Sequence, residues 1–298
     1  MIHDQATMLR ELAGTVSGDA PSPSSPRLSM AVAIASGKGG VGKTNITVNL
    51  ATALAQQGRR TVVLDADLGT ANADVLCGLD PRLTLESVLR GTHELKDVMM
   101  TGPGGFELIP GSSGAADLAG LSTERRDAVL SQLAMLESEA DVLLIDLAAG
   151  IGADVMGFAA AADALVVVAN PEPTSITDAY AFIKTTRRHV PGRTPDLLIN
   201  SADSDEEARE VHLRMDRACR QFLDFGLPLA GVIPRDEAVR RAVRARLPFV
   251  ISEPNSAASR SIHRLAARLG GDSACGSQER GGFLGRFVQW MSSRRAKA

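Results

Sequence analysis

A glycine-rich stretch with two lysines is the part of this sequence best suited to hold a phosphate. It runs from Gly37 to Thr44 and has the spacing G-x-x-x-x-G-K-[ST]. Its glycines let the backbone turn so that successive N–H groups surround an anion. At this spacing Lys43 reaches the outer phosphates of a nucleotide, and the Thr44 hydroxyl binds Mg²⁺. The residues predicted to bind the nucleotide are Gly37, Lys38, Gly39, Gly40, Val41, Gly42, Lys43 and Thr44.

Carboxylates that end apolar runs form the second group of residues suited to this chemistry. Asp65 and Asp67 follow the run that ends at Leu64, and Asp146 ends the run that starts at Asp141. Beside bound phosphates, carboxylates at strand ends suit Mg²⁺ ligation and the handling of water. The pattern predicts that Asp146 holds Mg²⁺ through water. Solvated turn aspartates are the alternative at 65 and 67, disfavoured because a buried strand precedes them.

Alternating strands and helices would bring these residues together. An apolar run, Met30–Ala35, leads into the glycine-rich stretch, and a helical pattern, Ile46–Ala55, leads out of it. Continuous apolar runs, typical of strands covered on both faces, recur at 61–64, 141–146, 164–169, 197–200 and 228–234. We therefore predict an α/β fold, a doubly wound and mainly parallel sheet with helices on both faces. In this context a chance glycine turn is a poor alternative for the stretch.

Composition narrows the class of protein. The 298 residues are 44% hydrophobic and 22% charged, as expected for a globular core, and the net charge of −3 gives no argument for nucleic-acid binding. No apolar stretch approaches the roughly 20 residues that span a bilayer. The N-terminus lacks the pattern of a secretory signal. Three scattered cysteines, Cys77, Cys219 and Cys275, indicate free thiols and a cytoplasmic location.

Lys38 is one lysine more than a phosphate loop of this spacing requires. Residues 38–44, Lys-Gly-Gly-Val-Gly-Lys-Thr, resemble the deviant Walker A loop of the MinD/ParA ATPases. The resemblance extends from about Met30 to Leu269 and implies a P-loop NTPase that hydrolyses ATP with Mg²⁺. It also implies an ATP-dependent homodimer, in which Lys38 reaches the phosphates of the other subunit. Residues 170–180 resemble the TPEPTSITDAY segment of the family's dimer interface.

The same resemblance implies roles for single residues. Asp67 would orient the attacking water. The catalytic residues would be Lys38, Lys43 and Asp67; the metal shell would be Thr44, Asp146 and Asp65; and the adenine contact would be Asn200. Leu147 departs from the family, which usually has threonine at this position. Because of this departure, the sequence does not decide whether a switch II hydroxyl contact forms or how fast ATP is hydrolysed.

Residues 1–14 have the spacing of a short helix, and a Ser-, Pro- and Gly-rich linker, 15–29, follows. The helix resembles the DQAxxLR segment of the FlhG/FleN flagellar number regulators. In that branch the segment activates FlhF, a partner GTPase of the signal-recognition-particle type, so Gln5 is expected near the partner's nucleotide. Flagellar switch or C-ring proteins and a flagellar transcription activator are further expected partners. A frayed terminus is the alternative for this segment. Its predicted partner contacts are Asp4, Gln5, Leu9 and Arg10.

The C-terminal residues 282–298 form an amphipathic pattern after a second linker, 271–281, and the core domain is predicted at 30–270. Aromatic and aliphatic residues opposite cations are typical of a helix that lies on an anionic membrane surface. Two such helices in an ATP-bound dimer would bind more tightly than one, so we expect peripheral, ATP-dependent attachment. A helix docked on the core is the alternative. The predicted membrane contacts are Phe283, Leu284, Phe287, Val288, Trp290 and Met291.

Four other functions stay open at this point. A ParA-type partitioning ATPase would bind DNA through arginines such as Arg240 and Arg244, although solvated arginines are favoured there. A MinD-type division-site ATPase would lack the helix at 1–14. An iron–sulfur carrier would need paired cysteines, which the sequence does not have. A scaffold that binds ATP and scarcely hydrolyses it is compatible with Leu147.

Overall fold

The computed structural model describes residues 29–67, 71–111, 123–270, 282–283, 285–287 and 289–290. The predicted N-terminal helix, with its partner contacts Asp4, Gln5, Leu9 and Arg10, lies outside these ranges, as do both linkers apart from Ser29. Leu284, Val288 and Met291 of the predicted membrane face also lie outside them.

An eight-stranded sheet forms the centre of the described chain. Its strand order is β3-β4-β2-β5-β1-β6-β7-β8, and every neighbouring pair is parallel except β3 with β4. The predicted doubly wound, mainly parallel sheet is therefore confirmed. The strands are β1 (Met30–Ala35), β2 (Thr61–Ala66), β3 (Met100–Thr101), β4 (Glu107–Ile109), β5 (Val142–Leu147), β6 (Ala164–Ala169), β7 (Asp196–Ala202) and β8 (Leu229–Pro234).

Helices cover both faces of this sheet and enclose two apolar cores. Apart from the partly buried Met30, the central strands β1, β2 and β5 are buried because neither face meets solvent, which explains their continuous apolar runs. The helices are α1 (Lys43–Gln56), α2 (Ala73–Leu76), α3 (Leu85–Arg90), α4 (Leu95–Val98), α5 (Thr123–Glu139), α6 (Ala153–Ala161), α7 (Pro173–His189), α8 (Asp205–Leu223), α9 (Glu237–Ala245), α10 (Phe249–Ser252) and α11 (Ala257–Gly270). Among the described residues, none of the helices is both long and apolar enough to cross a bilayer.

The order of the strands determines where a ligand can bind. The chain leaves β1 toward β2 on one side of the sheet, and it later crosses from β5, past β1, to β6 on the other side. Such a switch point opens a crevice at the carboxyl ends of the strands. The glycine-rich loop follows β1 directly, and the carboxylates of β2 and β5 end at the same edge.

The described residues of the C-terminal segment, which lie between 282 and 290, pack against the core domain. Phe283 and Phe287 are buried, and the Phe287 ring stacks on Phe158 of α6 with 4.6 Å between centroids. The Phe283 N–H donates to Glu137 Oε1 at 2.5 Å. A methyl group on Gly157 would lie 2.6 Å from the Trp290 ring, so the absence of a side chain there makes room for the indole.

Polar contacts complete this docking. Arg286 donates to the Ala161 carbonyl at 2.7 Å and forms an ion pair with Asp163 at 2.6 Å. The docked alternative is thus the arrangement of this structure, and the interpretation of Phe283, Phe287 and Trp290 as lipid-facing does not describe it. The physical reason is that their rings extend the apolar core around Phe158. Membrane binding stays a prediction that requires this segment to leave its site.

Candidate functional site

The glycine-rich loop connects β1 to α1 in a conformation that only glycine adopts without strain. Gly40 and Gly42 have φ of +80° and +89°. Gly37 lies so close to α7 that a methyl group on it would be 2.1 Å from the Asp178 carbonyl oxygen. α1 begins at Lys43, directly after the loop, so the free N–H groups of its first turn face the loop. Loop and helix together form a cradle for an anion.

Strand alternation turns the two strand-end carboxylates toward α1. In β5, Leu143, Ile145 and Leu147 belong to one core, while Val142 and Leu144 belong to the core that contains α1. Asp146 has the same parity as the second set, so its side chain lies on the α1 side. Asp65 is its register partner on β2 and lies on that side too.

Asp146 is fully buried and contacts two side chains of α1. Its Oδ1 accepts hydrogen bonds from Lys43 Nζ at 2.8 Å and from Thr47 Oγ1 at 3.3 Å. Its Oδ2 is buried and has no hydrogen-bond partner in the part of the chain that the structure describes. A buried carboxylate oxygen without a partner is costly unless a cation or water satisfies it. The residues therefore fit Mg²⁺, which takes one or two carboxylates together with substrate phosphates.

Asp65 is the second buried carboxylate of the site. Its oxygens accept backbone N–H groups from Asp67 at 3.1 Å and from Asn72 and Ala73 at 3.2 Å. Burial, and then the nearby charge of Asp146, raise the pKa of Asp65 to about 7 despite these hydrogen bonds. Through its hydrogen bonds, Asp65 connects Asp67, at the edge of the site, with the start of α2.

Lys38 is held at the surface by residues that sequence analysis did not single out. Its Nζ lies 3.4 Å from Glu172 Oε2 and 3.1 Å from Thr174 Oγ1. The Lys38 side chain is 41% exposed and that of Glu172 63% exposed, so the ion pair contributes little and can be exchanged for another partner. Both partners lie in the segment assigned only to a dimer interface, whose sequence gave no signal of a contact with the loop. Thr47 was missed likewise, although it lies one helical turn after Lys43.

Asn200 contacts the loop rather than open solvent. Its amide nitrogen donates to the Val41 carbonyl at 2.7 Å. Beside it is a cleft of about 390 Å³ whose walls include Asn170, Pro234 and Phe249. The cleft adjoins the phosphate cradle and has the mixed polar and apolar lining that a nucleotide base requires. The predicted adenine contact at Asn200 is therefore next to a suitable cleft and stays a prediction.

Leu147 ends β5 as a fully buried member of the core. Its side chain points to the face opposite Asp146, as strand alternation requires. This position therefore packs the core and supplies no hydroxyl group to the site.

Comparison with known families agrees with this geometry. Residues 32–249 match the CobQ/CobB/MinD/ParA nucleotide binding domain. The chain belongs to this family. Within it, the chain is a MinD/ParA-type ATPase of the FleN/YlxH branch, with ATP and Mg²⁺ as its cofactors, which confirms the resemblance found in the sequence.

Two relatives and one solved structure show how similar this ATPase is to known proteins. The antiactivator FleN of Pseudomonas aeruginosa is 43% identical over 238 residues, which are 80% of this chain and 85% of FleN. The flagellum site-determining protein YlxH of Helicobacter pylori is 35% identical over 240 residues, 80% of this chain and 81% of YlxH. The septum site-determining protein MinD of Pyrococcus horikoshii, solved with Mg-ADP, superposes with a TM-score of 0.65 at 25% identity, covering 84% of this chain and 98% of that one.

Proposed function

We propose that this ATPase regulates the number and placement of flagella by switching between a free monomer and an ATP-bound, membrane-attached homodimer. The observation that carries the proposal is the 43% identity to FleN over most of both chains, joined to the phosphate cradle and the buried Asp146. Similarity to YlxH supports the same role. The output of ATP hydrolysis is then the recruitment and control of partners.

Residues of the loop and strand ends would carry the hydrolysis. Bound Mg²⁺ supplies charge neutralisation at the phosphates, and Thr44 and Asp146 would hold it, with Asp65 supporting the metal shell. Lys43 would leave its hydrogen bond with Asp146 and bind the outer phosphates instead. Asp67 orients the attacking water through its carboxylate. The Oδ2 atom of Asp146, buried and without a hydrogen-bond partner among the described residues, supports the assignment of Asp146 to Mg²⁺.

The homodimer would depend on Lys38. Its half-exposed side chain is held only by a surface carboxylate and a hydroxyl among the contacts described for it. An anionic phosphate of a second subunit offers Lys38 a stronger, charge-assisted partner than Glu172 does. Release of Lys38 from Glu172 would therefore accompany dimerisation.

Membrane attachment would require the C-terminal segment to leave α6. Detachment exposes Phe283 and Phe287, whose burial in the present structure keeps the apolar face from lipid. A single amphipathic helix binds a membrane weakly, whereas two in one dimer bind far more tightly. The protein would thus be cytoplasmic and attach peripherally when ATP is bound.

DNA binding through α9 has less support, because two of its arginines have carboxylate partners. Arg240 forms an ion pair with Glu237 at 3.1 Å, and Arg241 with Glu253 at 2.8 Å. Arginines with carboxylate partners present little net positive charge to a phosphate backbone. The protein's net charge of −3 points the same way.

The partner-directed part of the proposal is tested with the flagellar GTPase of the signal-recognition-particle type from the same organism. Its GTP hydrolysis is measured alone, with the full-length protein, and with the Gln5→Ala variant. We expect stimulation by the full-length protein that is lost in the variant. An active GTPase that the protein does not stimulate would remove FlhF-type activation from the proposal and leave an ATPase with other partners, such as C-ring proteins or a transcription activator.

A further inference from the structure

Two asparagines from neighbouring strand ends converge on one carbonyl of the phosphate loop. Asn200, in β7, donates its amide N–H to the Val41 oxygen at 2.7 Å. Asn170 directly follows β6. In the orientation that satisfies both its amide oxygen and its amide nitrogen, that nitrogen donates to the same Val41 oxygen at 3.2 Å and to the Asn200 carbonyl at 3.2 Å.

Holding this carbonyl also determines where the next N–H points. In a trans peptide the C=O and the following N–H point in opposite directions, so a fixed Val41 oxygen fixes the Gly42 N–H on the other side of the chain. That N–H belongs to the loop predicted to surround a phosphate. Contact is close, because a methyl group on Gly42 would lie 2.5 Å from Asn200 Nδ2.

The segment after Asn170 grips the loop at a second point. Glu172 and Thr174 hold Lys38 near the start of the loop, while Asn170 acts near its end at Val41. Asn170 is itself anchored, since its backbone N–H donates to the hydroxyl of Ser175 at 2.9 Å, and Ser175 is buried. The β6–α7 connection therefore holds both ends of the phosphate loop.

We propose that Asn170 is a positioning residue for phosphate binding, which together with Asn200 sets the Val41–Gly42 peptide. The inference rests on the nucleotide-binding activity of the family and is independent of any flagellar role. In this proposal Asn170 affects phosphate binding by holding the loop, and it does not contact the nucleotide base in the adjoining cleft.

The test compares two ligands with full-length protein. Binding of Mg·ADP and of Mg·pyrophosphate is measured by calorimetry for wild type, Asn170→Ala and Asn170→Asp. We expect Asn170→Ala to weaken both ligands by about fivefold, the loss of one net hydrogen bond. Asn170→Asp should weaken both further, because a carboxylate cannot donate to the Val41 oxygen and repels it. The exposed Asn255, changed to Asp, is the matched control and should shift neither affinity by more than about twofold.

The pattern of losses decides the outcome. Equal losses for ADP and pyrophosphate support positioning of the loop, whereas a loss confined to ADP would show that Asn170 serves the base and would overturn the proposal. Unchanged affinity for both ligands would overturn it as well. If Asn170→Ala unfolds at the assay temperature, Asn170→Asp carries the test, because it keeps the size of the side chain.

A second readout separates positioning from a general structural role. Asn200→Ala is combined with Asn170→Ala, and the affinities for pyrophosphate form a double-mutant cycle. Because both amides act on one oxygen, the loss of pyrophosphate affinity in the double variant should differ from the product of the two single losses. We expect a difference of at least about twofold, in either direction. Strictly multiplicative losses would mean that the two residues act independently and would contradict the shared clamp.

Discussion

Lys43 and Asp146 form a buried ion pair in which Nζ lies 2.8 Å from Oδ1, although the two residues are 103 positions apart in the chain. In the proposed function both groups take other partners, the outer phosphates for Lys43 and Mg²⁺ for Asp146. In this structure each satisfies the other's charge. A buried charge without such a partner would destabilise the fold by several kcal/mol, on the order of 3–5.

The first prediction concerns the dependence of stability on pH. The pKa of Asp65 is raised from 3.8 to about 7, so between these values the folded protein keeps a proton that the unfolded chain releases. The contribution of Asp65 to the free energy of unfolding therefore decreases by at most roughly 4 kcal/mol as pH rises from about 4 to 7. Above pH 7 this contribution is constant. Urea unfolding at pH 5 and pH 7.5, without nucleotide or Mg²⁺, measures it.

The change Asp65→Asn removes this titration and provides the comparison. From pH 5 to pH 7.5, the unfolding free energy of the wild type should decrease relative to that of Asp65→Asn. Asp203→Asn, at an exposed residue paired with Arg235, should keep the wild-type dependence. An Asp65→Asn variant with the same pH dependence as wild type would show that Asp65 is ionised throughout.

The second prediction separates nucleotide binding from dimer formation. Lys38→Ala should bind Mg·ADP within about threefold of wild type, because the Lys38 side chain is bonded, among the described residues, to the exposed Glu172 and Thr174. It should fail to dimerise with Mg·ATP, since the proposed partner of Lys38 is the phosphate of the other subunit. Analytical ultracentrifugation with ATP and with ADP measures both states. Lys184→Ala is the control for the loss of one lysine. If Lys38→Ala forms dimers as stable as those of wild type, the proposed role of Lys38 is excluded.

The third prediction releases the C-terminal segment without altering its own sequence. In Gly157→Ala the new methyl group would lie 2.6 Å from the Trp290 ring and 3.1 Å from that of Phe287. We expect this variant to bind anionic vesicles without ATP several-fold more tightly than wild type, with a blue shift of Trp290 fluorescence, the only tryptophan. Gly152→Ala is the control, because a methyl group there would meet no atom of the described residues within 4 Å.

Two outcomes of the vesicle experiment would count against membrane switching. Gly157→Ala that binds vesicles no better than Gly152→Ala would mean that docking does not compete with lipid. Wild-type protein that binds equally with ATP and ADP would remove the nucleotide from control of attachment.

The fourth prediction uses two glycines of the phosphate loop. Gly37→Ala places a methyl group 2.1 Å from the Asp178 carbonyl oxygen, so the loop must move away from α7. We expect a loss of about 2 kcal/mol or more in unfolding free energy and a weakened affinity for Mg·ADP. Gly39→Ala has open space and should change the stability of the free protein by less than about 0.5 kcal/mol. Equal stability of the two variants in urea would contradict the close packing at Gly37.

Local sequence determined most of the fold and of the phosphate site. Continuous apolar runs predicted the central strands to within one or two residues, because both faces of a parallel sheet are covered. The glycine-rich loop and the strand-end position of Asp146 predicted a nucleotide site, since backbone turn, helix start and carboxylate arise from adjacent residues.

Tertiary structure alone decided contacts between distant segments. Glu172 with Lys38, and Asn170 with Val41, join residues more than a hundred positions apart, and no periodic pattern encodes such pairs. The C-terminal segment shows the limit most clearly. Its apolar face suits a membrane and a protein core equally, because the hydrophobic effect has no direction and rewards removal from water by either. The space beside Phe158, opened by Gly157, and the polar contacts of Phe283 and Arg286 with the core selected docking in this structure.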